Sequence, residues 1–186
     1  MKNNVFKLCL AGLLIAIGTM IPMFAPRVLL TPASFTLAVH TVIFVAMFIS
    51  PSMAVAVALG TTVGFQFTAV PTIVVLRALT HVIFALAGSY YLHRVKVKRK
   101  KLSFVKLRFF SFWVGLLHAA CEVVVVSIFY FGGNMAEAWY SGGFFTSVLL
   151  LVGLGSVIHS MVDFEIANVI VNVLKRQKKL SVLFEK

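Results

Sequence analysis

Eight ionisable side chains stand inside otherwise apolar stretches of this sequence: His40, Arg77, His81, His118, Glu122, His159, Asp163 and Glu165. Three pairs recur at a spacing of four: Arg77 with His81, His118 with Glu122, and His159 with Asp163. On a helix each pair shares one face, a turn apart. An arginine presents a fork that suits a planar carboxylate, and a histidine one turn away can hydrogen-bond a ring nitrogen or a hydroxyl. The two histidine–carboxylate pairs could relay protons or hold a metal. They read HxxxE and HxxxD, however, without the HExxH spacing of a zinc hydrolase, so neither a metal nor a cofactor is expected. No GxSxG, P-loop or GxGxxG occurs, and nucleophilic hydrolysis or ATP use on this chain has no residue support. A structural reading stands beside these. Arg77 and Glu122 could pair and lock two helices together, and His40 could be a satisfied interhelical histidine.

The elements that must position these groups follow from composition. Of 186 residues 61% are hydrophobic and only 12% charged, with a mean hydropathy of +1.03. Soluble domains carry about a quarter charged residues, so the natural solvent for this chain is a bilayer. It reads as one polytopic domain over 1–186 in the cell membrane. The net charge of +12 is unevenly spread. Of 17 Lys and Arg, only Arg27 and Arg77 lie outside three clusters, at 2–7, 94–108 and 175–186. Basic clusters flanking apolar spans mark the cytoplasmic side and can touch anionic headgroups. No basic stripe with interleaved aromatics remains for nucleic acid. Cys9 and Cys121 are read as small apolar fillers, and the first apolar stretch as an uncleaved membrane helix.

Six apolar spans can be drawn, at about 5–24, 36–49, 53–67, 71–92, 105–131 and 144–174, by their hydropathy and the turns between them. The expectation is an all-α bundle of six transmembrane helices with both termini cytoplasmic, which places all three basic clusters on one side. The second and third spans fall short of the ~20 residues that a crossing needs, and could be partly re-entrant. At 1.5 Å per residue His40 lies roughly 6 Å below the outer end of its span, Arg77 roughly 9 Å, Glu122 roughly 14 Å and His81 roughly 15 Å. These four groups are expected to form a pocket opening outward. The loop GGNMAEAWYSGG above it carries Asn134 as a further binding candidate, and the flat aromatics Trp139, Tyr140 and Phe144 in or beside it could stack on a ligand or close over it. Asp163, Glu165, Asn168 and Asn172 are placed towards the inner half of the last span. Asp163 and Glu165 are two apart and cannot share a face.

Near the N-terminus AGLLIA sets Gly12 and Ala16 four apart, a spacing that lets membrane helices approach closely. With this motif, the basic loops, and the run PASFTLAVHTVIFVAMFISP leading to ALGTTVGF and IVVLRALTHVIFAL, the chain resembles the substrate-binding (S) components of energy-coupling-factor vitamin importers. It looks most like niacin-type members, with pantothenate and pyridoxine types next. The resemblance implies capture of a water-soluble vitamin from outside, and release inward by a separate transmembrane coupling subunit with two ATPase subunits. It also maps the family's coupling face onto Gly12 and Ala16, with Gly standing where the family often has Ala. An anionic ring such as nicotinate would suit Arg77 and His81. The alternative is a self-contained small channel or a lipid-modifying enzyme using His118 with Glu122 or His159 with Asp163.

Overall fold

The computed structural model describes residues 2–30, 33–68, 70–98, 102–133, 139 and 141–185. Helix α1 (Lys2–Phe24) leads into an antiparallel hairpin of β1 (Arg27–Leu30) and β2 (Ala33–Thr36), in which Arg27 faces Thr36 and Leu30 faces Ala33. Next come α2 (Thr41–Ile49), α3 (Pro51–Gln66), α4 (Thr72–Val97) and α5 (Phe104–Phe131). A π-helical segment, Phe145–Leu154, runs without a break into α6 (Gly155–Arg176), and a short α7 (Lys178–Glu185) follows.

Among the described residues four helices are long and apolar enough to cross a bilayer: Asn4–Phe24, Thr72–Val97, Phe104–Phe131 and the joined Phe145–Arg176. The elements between the first and second of these depart from the six-span reading. At 1.5 Å per residue α2, with 9 residues, is about 14 Å long and α3, with 16, about 24 Å. The expected span from 36 begins late because residues 37–40 form a turn that continues the hairpin, so the helix starts only at Thr41. The hairpin itself was expected as a loop, and it is the one departure from an all-α fold among the described residues.

The helix α2 is apolar on every side, and eight of its nine residues are buried. An all-round apolar helix belongs in the middle of a bundle, and α2 packs against α1, α3, α4 and α6. Ser50 separates it from α3, its hydroxyl accepting from the Met53 amide at 3.2 Å with Pro51 at the first helical position, a strong helix start. In lipid, helices associate by close fit rather than by hydrophobic expulsion, and α1 meets α3 through small residues. A Cβ on Gly18 would lie 2.6 Å from Thr61 Cγ2, and Cβ atoms on Gly60 or Gly64 would overlap Ile15 or Thr19.

The three long central helices each bury one stripe. It runs through Ala78, His81 and Ala85 on α4, through Val114, His118 and Glu122 on α5, and through Ser156, Ser160 and Asp163 on α6. Polar groups thus sit on the inward faces, where neighbouring helices can pair them, while Trp113, Ile128 and Val169 face outward. The described lysines and arginines other than Arg27 and Arg77 gather at one end of the bundle, hereafter the basic end. The hairpin marks the opposite end.

Candidate functional site

Seven of the eight intramembrane ionisable residues meet in one cluster near the hairpin end, built on two carboxylates. Glu122 of α5 is 3% exposed. Its Oε1 accepts from Arg77 Nε at 3.1 Å and its Oε2 from Arg77 Nη2 at 3.0 Å, a two-pronged pair between α4 and α5. Ser156 Oγ of α6 donates to Oε2 at 2.5 Å. His118 Nε2 and His81 Nε2 approach Oε1 at 3.4 and 3.7 Å. The second carboxylate, Asp163 of α6, is fully buried. Its Oδ1 accepts from the Ala38 amide at 2.8 Å, and its Oδ2 from the His40 amide at 2.9 Å and from His40 Nδ1 at 3.0 Å. His159 Nε2 lies 3.4 Å away, one turn earlier on the same helix.

Local sequence explains both arrangements. Ala38 adopts a left-handed backbone, with φ of 67°, in the turn between hairpin and α2, and that turn aims two successive-but-one amides at one carboxylate. Few L-residues take this conformation; here Asp163 binds the turn that contains it. The π-helical segment feeds directly into the face carrying Ser156, His159 and Asp163, and wide-wound turns of this kind recur beside functional sites. Gly155 has no Cβ because Phe35 of β2 lies against it, which brings the hairpin down onto α6.

Three histidines surround His40. Its ring centroid is 4.5 Å from His118, 4.7 Å from His81 and 5.1 Å from His159. His159 in turn faces Phe35 at 5.4 Å. Phe84 closes the cluster from the basic side, 4.8 Å from His118.

Above the cluster lies a cavity of about 280 Å³, at the small end of the range for ligand sites. Its polar lining comprises Arg27, Ser34, Thr36, His40, Arg77, His81, Glu122, Trp139, Ser156 and His159, with Phe35, Phe65, Pro71 and Val74 among its apolar walls. A second cavity, larger at about 870 Å³, opens between α4 and α5 towards the basic end. Its walls are Tyr91, Phe109, Trp113 and other mostly apolar side chains beneath Arg94, Lys98 and Lys106. It lacks carboxylates and membrane-embedded histidines, and Phe109 and Trp113 are more than 60% exposed at its edge, so it is a lipid-facing groove rather than a recognition site.

Of the residues expected from sequence, Arg77, His81, His40, Glu122 and Trp139 line the smaller cavity together. Asn134 and Tyr140 lie outside the described residues. The expected separation of His40 and Asp163 along the bundle needs correction: the two are in contact, His40 Nδ1 donating to Asp163 Oδ2 at 3.0 Å. His118, His159 and Asp163, set apart from the pocket in the sequence reading, belong to the same cluster. Arg27, Thr36 and Ser156 were missed. Arg27 carried a signal, being the one basic residue besides Arg77 outside the three clusters. Glu165 points elsewhere, as its two-residue offset from Asp163 requires, and pairs with Arg108 near the basic end. Gly12 and Ala16 are exposed on the face of α1 turned away from α3, and nothing lies within 4 Å of where a Gly12 Cβ would be.

Four long apolar helices around a ligand-sized cavity whose walls carry two arginines and three histidines define a class: a multi-pass membrane protein with room for a small solute. Comparison with known proteins narrows it. Over 179 residues, 94% of this chain and 77% of the relative, the sequence is 42% identical to the niacin transporter NiaX of Lactococcus lactis subsp. cremoris (strain MG1363). The chain belongs to that transporter's family, and the resemblance to niacin-type S components holds. It is a multi-pass protein of the cell membrane. No family model and no solved structure matches it.

Proposed function

We propose that this chain is the substrate-capturing S component of an energy-coupling-factor importer and that it binds nicotinate in the 280 Å³ cavity. The observation that carries the reading is the cavity lining itself. Two arginines and three histidines converge on a space sized for one small ring, in a chain 42% identical to a niacin transporter. Glu122 engages Arg77 through Nε and Nη2, which leaves the Nη1 side of the fork for a ligand carboxylate. Arg27 at the mouth adds the charge that Glu122 cancels deeper in. His81 and His40 line the wall beside the pyridine ring, and Trp139 supplies a flat face next to it. Pantothenate and pyridoxine are the runner-up ligands, since both would use the same polar groups but fill more of the space.

Delivery inward requires partners: a transmembrane coupling subunit docking on the Gly12 and Ala16 face of α1, and two ATPase subunits, since this chain has no nucleotide motif. The chain itself performs no chemistry on its ligand. Both termini and the connection between α4 and α5 are cytoplasmic, so that the cavity opens outward.

Two experiments test this. Titration calorimetry on the purified solitary chain should show nicotinate binding more tightly than pantothenate or pyridoxine, with one site per chain. Absence of nicotinate binding by a folded, monodisperse sample would sink the reading. Separately, an impermeant thiol reagent on intact cells should label Ser141→Cys and miss Ser103→Cys; the reverse pattern would turn the cavity inward.

A further inference from the structure

We propose that the histidine cluster beneath the cavity is a binding site for one divalent transition-metal ion, ligated by His40, His81 and His118. This reverses the expectation drawn from the separate HxxxE and HxxxD spacings. Those spacings describe single helices, whereas the site is assembled from three elements: the start of α2, α4 and α5.

Four observations converge. First, His40, His81 and His118 each offer a ring nitrogen, and the three nitrogens lie within 4.8 Å of one another in a buried setting. That is a little wider than a bound ion needs, and small rotations of the rings close it. Second, the nitrogens are not satisfied by hydrogen bonds, since His118 Nε2 and His81 Nε2 come no nearer to Glu122 Oε1 than 3.4 and 3.7 Å. His81 Nε2 and both nitrogens of His118 are buried without a hydrogen-bond partner. A buried polar atom normally has one; the two nitrogens of His118 point to different sides of its ring, so one of them can share a partner with His81 and His40. Third, His40 is oriented as a metal ligand is. Its Nδ1–H donates to Asp163, which leaves Nε2 as the lone-pair nitrogen. Ligating histidines almost always donate their other N–H to a carboxylate or carbonyl, which fixes tautomer and ring angle. Fourth, the charge is right. A metal takes imidazole in its neutral form, and the cluster then holds two carboxylates, Glu122 and Asp163, against one guanidinium, Arg77. The surplus negative charge, away from water, favours a cation.

Asp163 is not itself the ligand. Both its oxygens already accept from the backbone of the turn or from His40, so it supports rather than binds. Three imidazoles with no thiolate suit zinc, cobalt, nickel or copper over calcium or magnesium, which prefer oxygen. Three protein ligands leave one position of a tetrahedral ion open. That position faces the cavity, since His40 and His81 both line it. The site stands whether or not nicotinate is the solute held above it.

The test uses Co²⁺ alone, with the full chain in detergent and no affinity histidines attached. One equivalent should bind, giving the intense visible bands of tetrahedral cobalt, and Zn²⁺ should bleach them. Replacing His81→Gln or His118→Gln should weaken Co²⁺ binding at least 100-fold, while His93→Gln, at the far end of α4, should leave it unchanged. Should a variant fail to fold, X-ray absorption of the cobalt-loaded wild type still decides, because it should count three imidazole ligands. The proposal is overturned if the wild type binds no cobalt, if absorption finds fewer than two imidazoles, or if folded His81→Gln and His118→Gln bind as the wild type does.

Discussion

The two halves of the bundle solve the same packing problem with opposite chemistry. Towards the hairpin end, Arg77 of α4 and Ser156 of α6 both donate to Glu122 of α5, and Asp163 of α6 accepts from the turn before α2, each contact directional and charge-assisted. Towards the basic end the same helices meet through Phe84, Phe110 and Phe164, packed around Phe44 of α2 with ring centroids 5.4 to 5.7 Å apart. An aromatic core fits tightly but recognises nothing. A polar core is costly in lipid, where even a lenient scale charges about 2.5–3.5 kcal/mol for one ionised group at the bilayer centre. On the proposed function the polar half is the half that holds the solute, and the aromatic half closes the route behind it.

The largest effect should come from breaking the polar half at its charged pair. Arg77→Ala leaves Glu122 buried without its main partner, and loss of one member of such a pair costs about 3–5 kcal/mol. The thermal midpoint should fall sharply even without ligand, and nicotinate binding should vanish. The double substitution Arg77→Met with Glu122→Met separates the two roles. Apolar residues of similar volume often replace a buried pair without loss of stability, so melting should recover while calorimetric binding does not. If the double variant binds nicotinate as the wild type does, the pair is structural only.

Breaking the aromatic half should give the converse. Phe164 is fully buried between Phe44, Phe48 and Phe110. Truncating a buried phenylalanine costs about 3–5 kcal/mol in soluble cores, and somewhat less where lipid can relax into the gap. Phe164→Ala should lower the melting midpoint yet leave nicotinate affinity, measured on the folded fraction, within about threefold. A proportionate loss of affinity would show that the two halves are one cooperative site.

The same contrast separates two faces of α1. Gly18 is pressed against Thr61 and Val42, so Gly18→Leu overpacks the bundle at about 1–3 kcal/mol. Gly12 faces open space, and Gly12→Leu or Ala16→Leu should change stability by less than about 0.5 kcal/mol. Nicotinate binding by the solitary chain should survive these outer substitutions, while uptake by cells should be abolished because leucine holds the coupling subunit away. Normal uptake in Gly12→Leu cells would remove this face from the coupling reading.

How much of this was legible in the sequence divides along the same physical line. Helical phase within one segment is set by the 3.6-residue repeat, so the shared faces of Arg77 with His81 and of His118 with Glu122 could be read directly. So could the opposite orientation of Asp163 and Glu165. Adjacency between helices is set by packing that no single segment reports. Nothing in the residues around His159 says that the turn before α2 will settle on Asp163, and so His118, His159 and Asp163 were left out of the pocket. The hairpin was hidden for a different reason: strands of four residues, RVLL and ASFT, are too short for alternation to stand out beside two prolines. Depth failed where regularity failed. Counting 1.5 Å per residue from Thr36 assumed a helix where the chain makes a strand end and a turn.

The smallest expected effect lies in that turn, and its sign tests how the polar half is held. Ala38 keeps φ at 67°, a left-handed conformation that costs an L-residue roughly 1–2 kcal/mol. Its amide repays this by donating to Asp163 at 2.8 Å, beside the amide of His40. Glycine adopts that conformation freely but loses more backbone entropy on folding, at about 0.5–1 kcal/mol. Ala38→Gly should therefore leave the protein as stable as before or more stable by a few tenths to about 1 kcal/mol, with nicotinate affinity unchanged. Ala38→Val should move the other way, because a β-branched side chain resists positive φ; it should destabilise the turn, loosen Asp163 and displace His40. The melting midpoints of the two variants, compared with and without nicotinate, measure how far the carboxylate depends on the turn. A loss of stability in Ala38→Gly equal to that in Ala38→Val would mean that the alanine methyl, rather than the backbone it occupies, is what the cluster uses.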